Sequence, residues 1–116
     1  MKYTPDELNE MRISYAIEQD EILGNKFSFW NLIYSATLPD DMIIYYHETK
    51  QQALEADTET LRQMEEAANI ERYKIIAKIL ADPDEAEIEL LGKVTAKHEA
   101  IYTVLQRRLR EDEQTL

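Results

Sequence analysis

The sequence contains no cysteine, and this absence removes three classes of site at once. A disulfide framework, a thiolate-bound metal and a cysteine nucleophile all require a cysteine side chain. Long apolar runs are missing too: no stretch approaches the about eighteen residues that indicate a transmembrane helix. No apolar segment follows Lys2, so the first residues do not resemble a secretory signal peptide. We therefore expect a cytoplasmic protein that does not bind a membrane.

Glycine and proline are scarce, with two glycines and three prolines in 116 residues. Gly24 and Gly92 stand alone, so the sequence has no glycine-rich loop of the kind that cradles nucleotide phosphates. So little turn chemistry favours an all-α protein in which these five residues mark the ends of helices.

Basic residues are few compared with acidic ones. Thirteen Lys and Arg stand against twenty-four Asp and Glu, which gives a formal net charge of -11. A chain this acidic is repelled by a phosphate backbone, so we do not expect direct binding to nucleic acid. The length predicts a single domain over residues 1–116, and the 44% hydrophobic content is enough for it to fold around a core.

Capping signals predict where the helices begin. Thr4-Pro5-Asp6-Glu7 combines a capping box with proline at the first helical position, and Gly24 offers a left-handed stop. Pro39 and Pro83 each stand beside acidic residues that suit a helix N-terminus. The expected helices cover residues 5–23, 29–37, 40–81 and 83–111.

The third of these helices would be unusually long. Apolar residues recur in it every seven positions, at Leu54, Leu61, Ala68 and Ile75. Asp57 and Asn69 are candidate interruptions. Together the segments predict an elongated antiparallel bundle of three to four helices with proline-marked corners near Pro39 and Pro83.

Aromatic residues are concentrated in one segment. Six of the ten lie between Phe27 and Tyr46, together with six large aliphatic residues. This exceeds what one face of a short helix and the following turn can bury, so part of the segment is expected at the surface, where aromatic patches mark contacts with other proteins. Core packing is the competing interpretation. The candidate interface residues are Phe29, Trp30, Tyr34, Tyr45 and Tyr46.

The middle of the long helix is poor in large apolar residues, and Leu54 is the only one between His47 and Thr60. Such a thin seam is easier to stabilise if a second copy covers it. The leading functional hypothesis is therefore a non-enzymatic helical interaction module, an adaptor or regulatory protein. It binds a protein partner, or its own copy as a homodimer, through the aromatic segment and this apolar seam.

Acidic clusters support a second hypothesis. A small acidic protein can occupy the basic cleft of a nucleic-acid-handling protein and act as its inhibitor by mimicking nucleic acid. Most such clusters are ordinary solvated helix faces, which is the competing interpretation. The candidate acidic residues are Glu55, Asp57, Glu59, Glu65, Glu66, Asp82, Asp84, Glu85, Glu87 and Glu89.

A third hypothesis is a metal-dependent enzyme built inside the bundle. Carboxylate-bridged sites of that kind use a glutamate three residues before a histidine, so that both project from one helical turn. Here Ile44 precedes His47 and Thr95 precedes His98 at that offset. The sequence also has no nucleophile on a glycine-bearing turn. We expect no catalytic residue, no metal and no cofactor, and we interpret His98 as a hydrogen-bonded polar residue on the helix seam.

Overall fold

A computed structural model describes residues 2–24 and 29–115, with side chains to residue 112. These residues form five α-helices and contain no strand, which confirms the all-α prediction. The helices are α1 (Pro5–Leu23), α2 (Phe29–Thr37), α3 (Asp40–Glu55), α4 (Thr58–Ala81) and α5 (Glu85–Thr115). The count exceeds the predicted three to four because residues 56 and 57 divide the long helix into α3 and α4.

The chain groups into two compact units, residues 1–48 and 49–116. The boundary falls inside α3, so this helix contributes to both. The first unit contains the packed pair α1 and α2, and the second contains the packed pair α4 and α5. A single domain over the whole chain stays a prediction. No helix within the described ranges is both long and apolar enough to cross a membrane.

Helix α1 has the ends that its sequence predicts. The Thr4 side chain accepts a hydrogen bond from the Glu7 amide at 3.2 Å, and the Thr4 amide donates to the Glu7 carboxylate at 3.0 Å. Gly24 ends the helix at φ 69°, a left-handed conformation in which a side chain would be strained. The capping box and the glycine stop are thus both confirmed. Gly92, by contrast, lies inside α5 and marks no helix end.

Helix α2 packs on α1 through polar contacts. The Ser35 hydroxyl donates to the Arg12 carbonyl at 2.7 Å, and the Asn31 amide donates to Asp20 Oδ1 at 2.6 Å. The Arg12 guanidinium donates to the carbonyls of Ser35 and Leu38 at the end of α2. Since residue 20 meets 31 and residue 12 meets 35, the two helices run antiparallel.

The first unit also buries apolar side chains from α1 and α3. Leu8, Met11 and Tyr15 recur at helical spacing on α1 and are buried. Ile43 and Tyr46 are buried on α3, and the Tyr46 ring meets Tyr15 edge to face at 4.8 Å between centroids. This geometry is one of the favourable arrangements of aromatic pairs.

The second unit has an apolar core between α4 and α5, to which α3 contributes its last turns. Its buried members are Ala53, Leu61, Ala68, Ile101, Val104 and Leu105. His98 Nε2 lies 2.9 Å from Glu65 Oε1 across the same pair of helices, and its ring stacks on Tyr102. The histidine is therefore the hydrogen-bonded polar residue on the seam that the sequence predicts.

The seven-residue apolar repeat holds only within α4. Leu61, Ala68 and Ile75 are buried, whereas Leu54 is 52% exposed and Ala53 takes its place in the core. The reason is the break at residues 56 and 57, because a helical period cannot continue through residues that are not helical.

Two side chains stabilise that break. Asp57 caps α4, and its carboxylate accepts from the Thr60 amide at 2.7 Å. The Arg108 guanidinium of α5 donates to the carbonyl groups at the end of α3, those of Ala53, Leu54 and Ala56. Carbonyl groups that the end of a helix leaves without partners thereby find donors.

Leu61→Ala should destabilise the protein by about 2–5 kcal/mol, because it removes a fully buried side chain and leaves a cavity. Leu54→Ala is the matched control, since the sequence repeat treats both positions alike. Its side chain is half exposed, so we expect a change within about 0.5 kcal/mol. Urea unfolding followed by circular dichroism measures both. If both variants lost the same free energy of unfolding, the core would extend to Leu54.

Candidate interaction surface

Helix α2 places its large apolar residues outward. Phe29 is 72% exposed, Trp30 80%, and Ile33 and Tyr34 54% each. Positions 29, 30, 33 and 34 share one face of a helix. We call these four residues the α2 surface. No residue of this nine-residue helix carries a charge.

The opposite face of α2 explains the exposure. Ser35 is fully buried and Asn31 bonds to Asp20, so these two polar residues of α2 face α1. In an ordinary amphipathic helix the apolar face turns toward the protein and the polar face toward water. Helix α2 has the reverse arrangement, because polar groups that meet buried partners must form hydrogen bonds there. The aromatic rings consequently remain outside.

Helix α1 adds an exposed stripe of its own. Ile13 is 50% exposed and Ile17 is 45% exposed. Asp6 and Glu10 are exposed and lie on the same helical face, at spacings of four, three and four residues along the series. We call these four residues the α1 stripe. It lies on the helix against which α2 packs, so both features belong to one unit.

Three of the five aromatic residues predicted for the interface, Phe29, Trp30 and Tyr34, lie on the α2 surface. The other two do not. Tyr46 is only 2% exposed, so its prediction as a contact residue is wrong: on α3 it shares the inward face with Ile43 and packs against Tyr15. Tyr45 is half-buried on α3. Phe27, which opens the aromatic segment, lies outside the described residues.

Sequence reasoning missed the three exposed isoleucines described in the first unit, Ile13, Ile17 and Ile33. Ile33 falls on the face of Phe29 and Trp30 by helical period, so the pattern could have found it. Ile13 and Ile17 looked like a widening of the apolar stripe of α1. Nothing in the sequence separates them from the buried Leu8 and Met11, because both sets recur at helical spacing.

Eight of the ten predicted acidic residues are exposed. The exceptions are Glu65, which bonds to His98, and Glu87, which is half-buried with one carboxylate oxygen lacking a partner among the described residues. The exposed ones are Glu55, Asp57, Glu59, Glu66, Asp82, Asp84, Glu85 and Glu89.

Six of these eight exposed residues fall into two groups at opposite ends of α4. Glu55, Asp57 and Glu59 surround its start, and Asp82, Asp84 and Glu85 follow its end. A helix of 24 residues is about 36 Å long at 1.5 Å per residue. The two groups therefore form separate patches, and Glu66 lies between them along the helix.

Asp57 combines charge with a structural role. The hydrogen bond from the Thr60 backbone, with further contributions from the Thr60 side chain and the Arg108 charge, lowers the pKa of the Asp57 carboxyl below its ordinary value. An ionised Asp57 thus stabilises the start of α4. In the part of the chain that the structure describes, no three His, Asp or Glu side chains come together as a metal site would require.

No family model, no curated protein and no solved structure matches the chain. A functional proposal must therefore rest on the residues themselves. The α2 surface and the two acidic patches are the features that bear on it most directly.

Asp57→Ala should destabilise the protein at neutral pH, and Asp57→Asn much less, because asparagine still accepts the Thr60 hydrogen bond. A lowered pKa in the folded state means that the ionised carboxylate contributes stability above its ordinary pKa. That contribution is lost as the pH falls through the folded value. The difference in free energy of unfolding between wild type and Asp57→Ala should therefore become smaller as the pH is lowered from neutral to about pH 2, measured by urea unfolding at each pH. A stability difference that does not change with pH would contradict stabilisation of α4 by the ionised carboxylate.

Proposed function

We propose that the protein is a non-enzymatic helical interaction module, an adaptor or regulatory protein that binds a protein partner through the α2 surface. The observation that carries the proposal is the reversed orientation of α2. Four large apolar side chains face water on an uncharged helix that turns Asn31 and Ser35 toward α1. Single exposed apolar residues are normal on proteins, but a contiguous group of them marks a contact surface.

The chemistry of the α2 surface supports this proposal. Tryptophan and tyrosine are enriched among the residues that contribute most to binding energy. A nine-residue helix is also too short to be stable alone in water. Hydrogen bonds from Arg12 and Ser35 hold it on α1, so the rings are presented on a backbone that is already ordered. Preorganisation of this kind lowers the entropy cost of binding.

Self-association, which the sequence predicts, finds its best support on α4. Ile70, Tyr73 and Leu80 are exposed by 48%, 60% and 80%, and with Ala77 they form one stripe along the helix. We call these four residues the α4 stripe. Helix α4 carries four acidic and four basic residues, so it is neutral overall in a chain of charge -11. Two copies that meet at this stripe bring together helices whose own charges cancel, although each unit carries -5, and we propose a homodimer through the α4 stripe.

The antiparallel pairing of α1 with α2 and of α4 with α5 supports the bundle predicted from the sequence. We retain as part of this proposal its elongated antiparallel form, its corners near Pro39 and Pro83, and a cytoplasmic location.

A second candidate function is an acidic inhibitor that occupies the basic cleft of a nucleic-acid-binding protein. It is favoured by the exposure of eight of the ten predicted carboxylates. The separation of the two patches along α4 would match a cleft that contacts nucleic acid over several base pairs. Such binding depends on charge and therefore weakens steeply with salt, whereas an aromatic interface does not.

Trp30→Ala combined with Tyr34→Ala should remove a bound protein that wild type captures from a lysate of its source organism. Both side chains are exposed, so circular dichroism should show unchanged helicity. The proposed interface is largely apolar, and the captured protein should remain bound in high salt. Tyr73→Ala with Leu80→Ala is the matched control, since it removes similar exposed side chains from the α4 stripe and should leave capture intact.

A different result would favour the acidic inhibitor. In that case capture would fail in high salt and survive the Trp30 and Tyr34 substitutions. It would instead be lost on neutralising one acidic patch by Gln or Asn, either Glu55, Asp57 and Glu59 or Asp82, Asp84 and Glu85. Loss of helicity in the double variant would assign the aromatic segment to the core.

Size-exclusion chromatography with multi-angle light scattering tests the homodimer. We expect a dimer in low and high salt that Tyr73→Ala with Leu80→Ala converts to a monomer, while Trp30→Ala with Tyr34→Ala leaves it intact. A wild-type monomer at every concentration would refute self-association. If only Trp30→Ala with Tyr34→Ala abolished the dimer, the two copies would meet at the α2 surface instead.

A further inference from the structure

The unit that carries the α2 surface is strongly acidic. Residues 1–48 contain nine Asp and Glu against three Lys and Arg, which leaves a formal charge of -6 from a total of -11. The remaining residues, 49–116, carry the other -5 on a longer segment. The excess of negative charge is therefore densest along the part of the chain that contains α2.

Both basic residues that the structure describes in this unit are already paired. Lys2 Nζ lies 2.8 Å from Glu48 Oε2, and the Arg12 guanidinium binds Asp40. The third, Lys26, lies outside the described residues. Three exposed carboxylates, Asp6, Glu10 and Asp41, form no ion pair with any residue described. The unit thus offers unpaired negative charge without unpaired positive charge among its described residues.

This charge discriminates among occupants of the α2 surface. A second copy would place two units of charge -6 against each other, and an anionic membrane would add negative lipid headgroups. Both arrangements bring like charges together, which costs electrostatic energy. A cationic partner is attracted to the same surface instead. Exposed carboxylates of the same unit can stay in water when the apolar surface is covered, as polar residues do at the rim of a protein interface.

The α1 stripe indicates the form of the partner. Asp6 and Glu10 lie about 6 Å apart along α1 and precede Ile13 and Ile17 on the same face, at 1.5 Å per residue. A helix that packs along this unit can match such a series with apolar and basic residues at its own helical spacing. Addition of a strand is not available here, since the described helices leave no sheet edge.

We propose that the occupant of the α2 surface is a cationic amphipathic helix of another protein. Its apolar stripe packs against Trp30 and its neighbours, and its flanking Lys or Arg residues pair with Asp6, Glu10 and Asp41. This inference rests on the proposed function, which it deepens by naming the chemistry of the partner. The apolar contact supplies most of the affinity, and the charges select the partner and its orientation.

The fluorescence emission of Trp30 can report binding, because Trp30 is the only tryptophan in the chain and lies on the α2 surface. The probes are synthetic helical peptides without tryptophan that share one leucine and isoleucine stripe and differ only in flanking Lys, Gln or Glu. We expect the Lys peptide to shift Trp30 emission to shorter wavelength. It should bind about fivefold or more tightly than the Gln peptide, the effect of a few exposed ion pairs. High salt should narrow the difference.

Charge variants locate the effect. Asp6→Asn with Glu10→Gln should reduce the preference for the Lys peptide while leaving binding of the Gln peptide unchanged. Glu66→Gln with Glu71→Gln removes the same number of charges from α4 and is the matched control, which should keep the preference. Equal loss in both pairs would mean that only net charge matters, and would overturn the assigned pairing.

Other outcomes separate this inference from the proposed function. Equal binding of Lys, Gln and Glu peptides would overturn the cationic partner while leaving the α2 surface as a binding site. No response to any peptide, with lysate capture still dependent on Trp30 and Tyr34, would overturn the helical partner alone. A Trp30 shift on raising the protein concentration would assign the surface to a second copy, and a shift with zwitterionic or anionic phospholipid vesicles would assign it to lipid.

Discussion

Two arginine side chains complete the ends of helices that the sequence leaves without glycine. Arg12 donates to carbonyls at the end of α2, and Arg108 donates to those at the end of α3. A glycine in the left-handed conformation usually satisfies such carbonyls through the backbone, and α1 does so at Gly24. With two glycines in the chain, the ends of α2 and α3 each have a backbone hydrogen bond, and arginine side chains from neighbouring helices supply further donors. Each arginine thereby fixes a helix end to another helix of the same unit, and the position of α2 depends on this.

The reversed orientation of α2 follows from the same contacts. Once Arg12 and Ser35 connect α1 to α2, the polar side of α2 must face α1, and Phe29 and Trp30 face water. Exposed aromatic side chains lower solubility. Their position is understandable if another protein covers them, which is the basis of the proposed function.

Charge and apolar surface are combined differently in the two units. The α2 surface belongs to a unit of charge -6, for which we propose a cationic partner. The α4 stripe, proposed to meet a second copy, belongs to a unit of charge -5 but lies on a helix whose four acidic and four basic residues cancel. One chain can in this way separate self-association from partner binding, because electrostatic repulsion acts against two copies meeting at the α2 surface. The acidic residues at the ends of α4 also have structural roles. Asp57, for example, caps the start of the helix.

The sequence by itself determined most of the helix ends, because caps, prolines and Gly24 act on neighbouring residues, but it left the helix over 40–81 undivided. It also determined where exposed aromatic residues are concentrated. Tertiary structure decided which face of each helix is covered. Apolar residues at helical spacing look alike in sequence, so Ile13 could not be distinguished from Met11, nor Tyr46 from Tyr34. The partners that decide between them, Arg12 with Ser35 and Tyr15 with Tyr46, are more than twenty residues apart, and local spacing carries no information about such contacts.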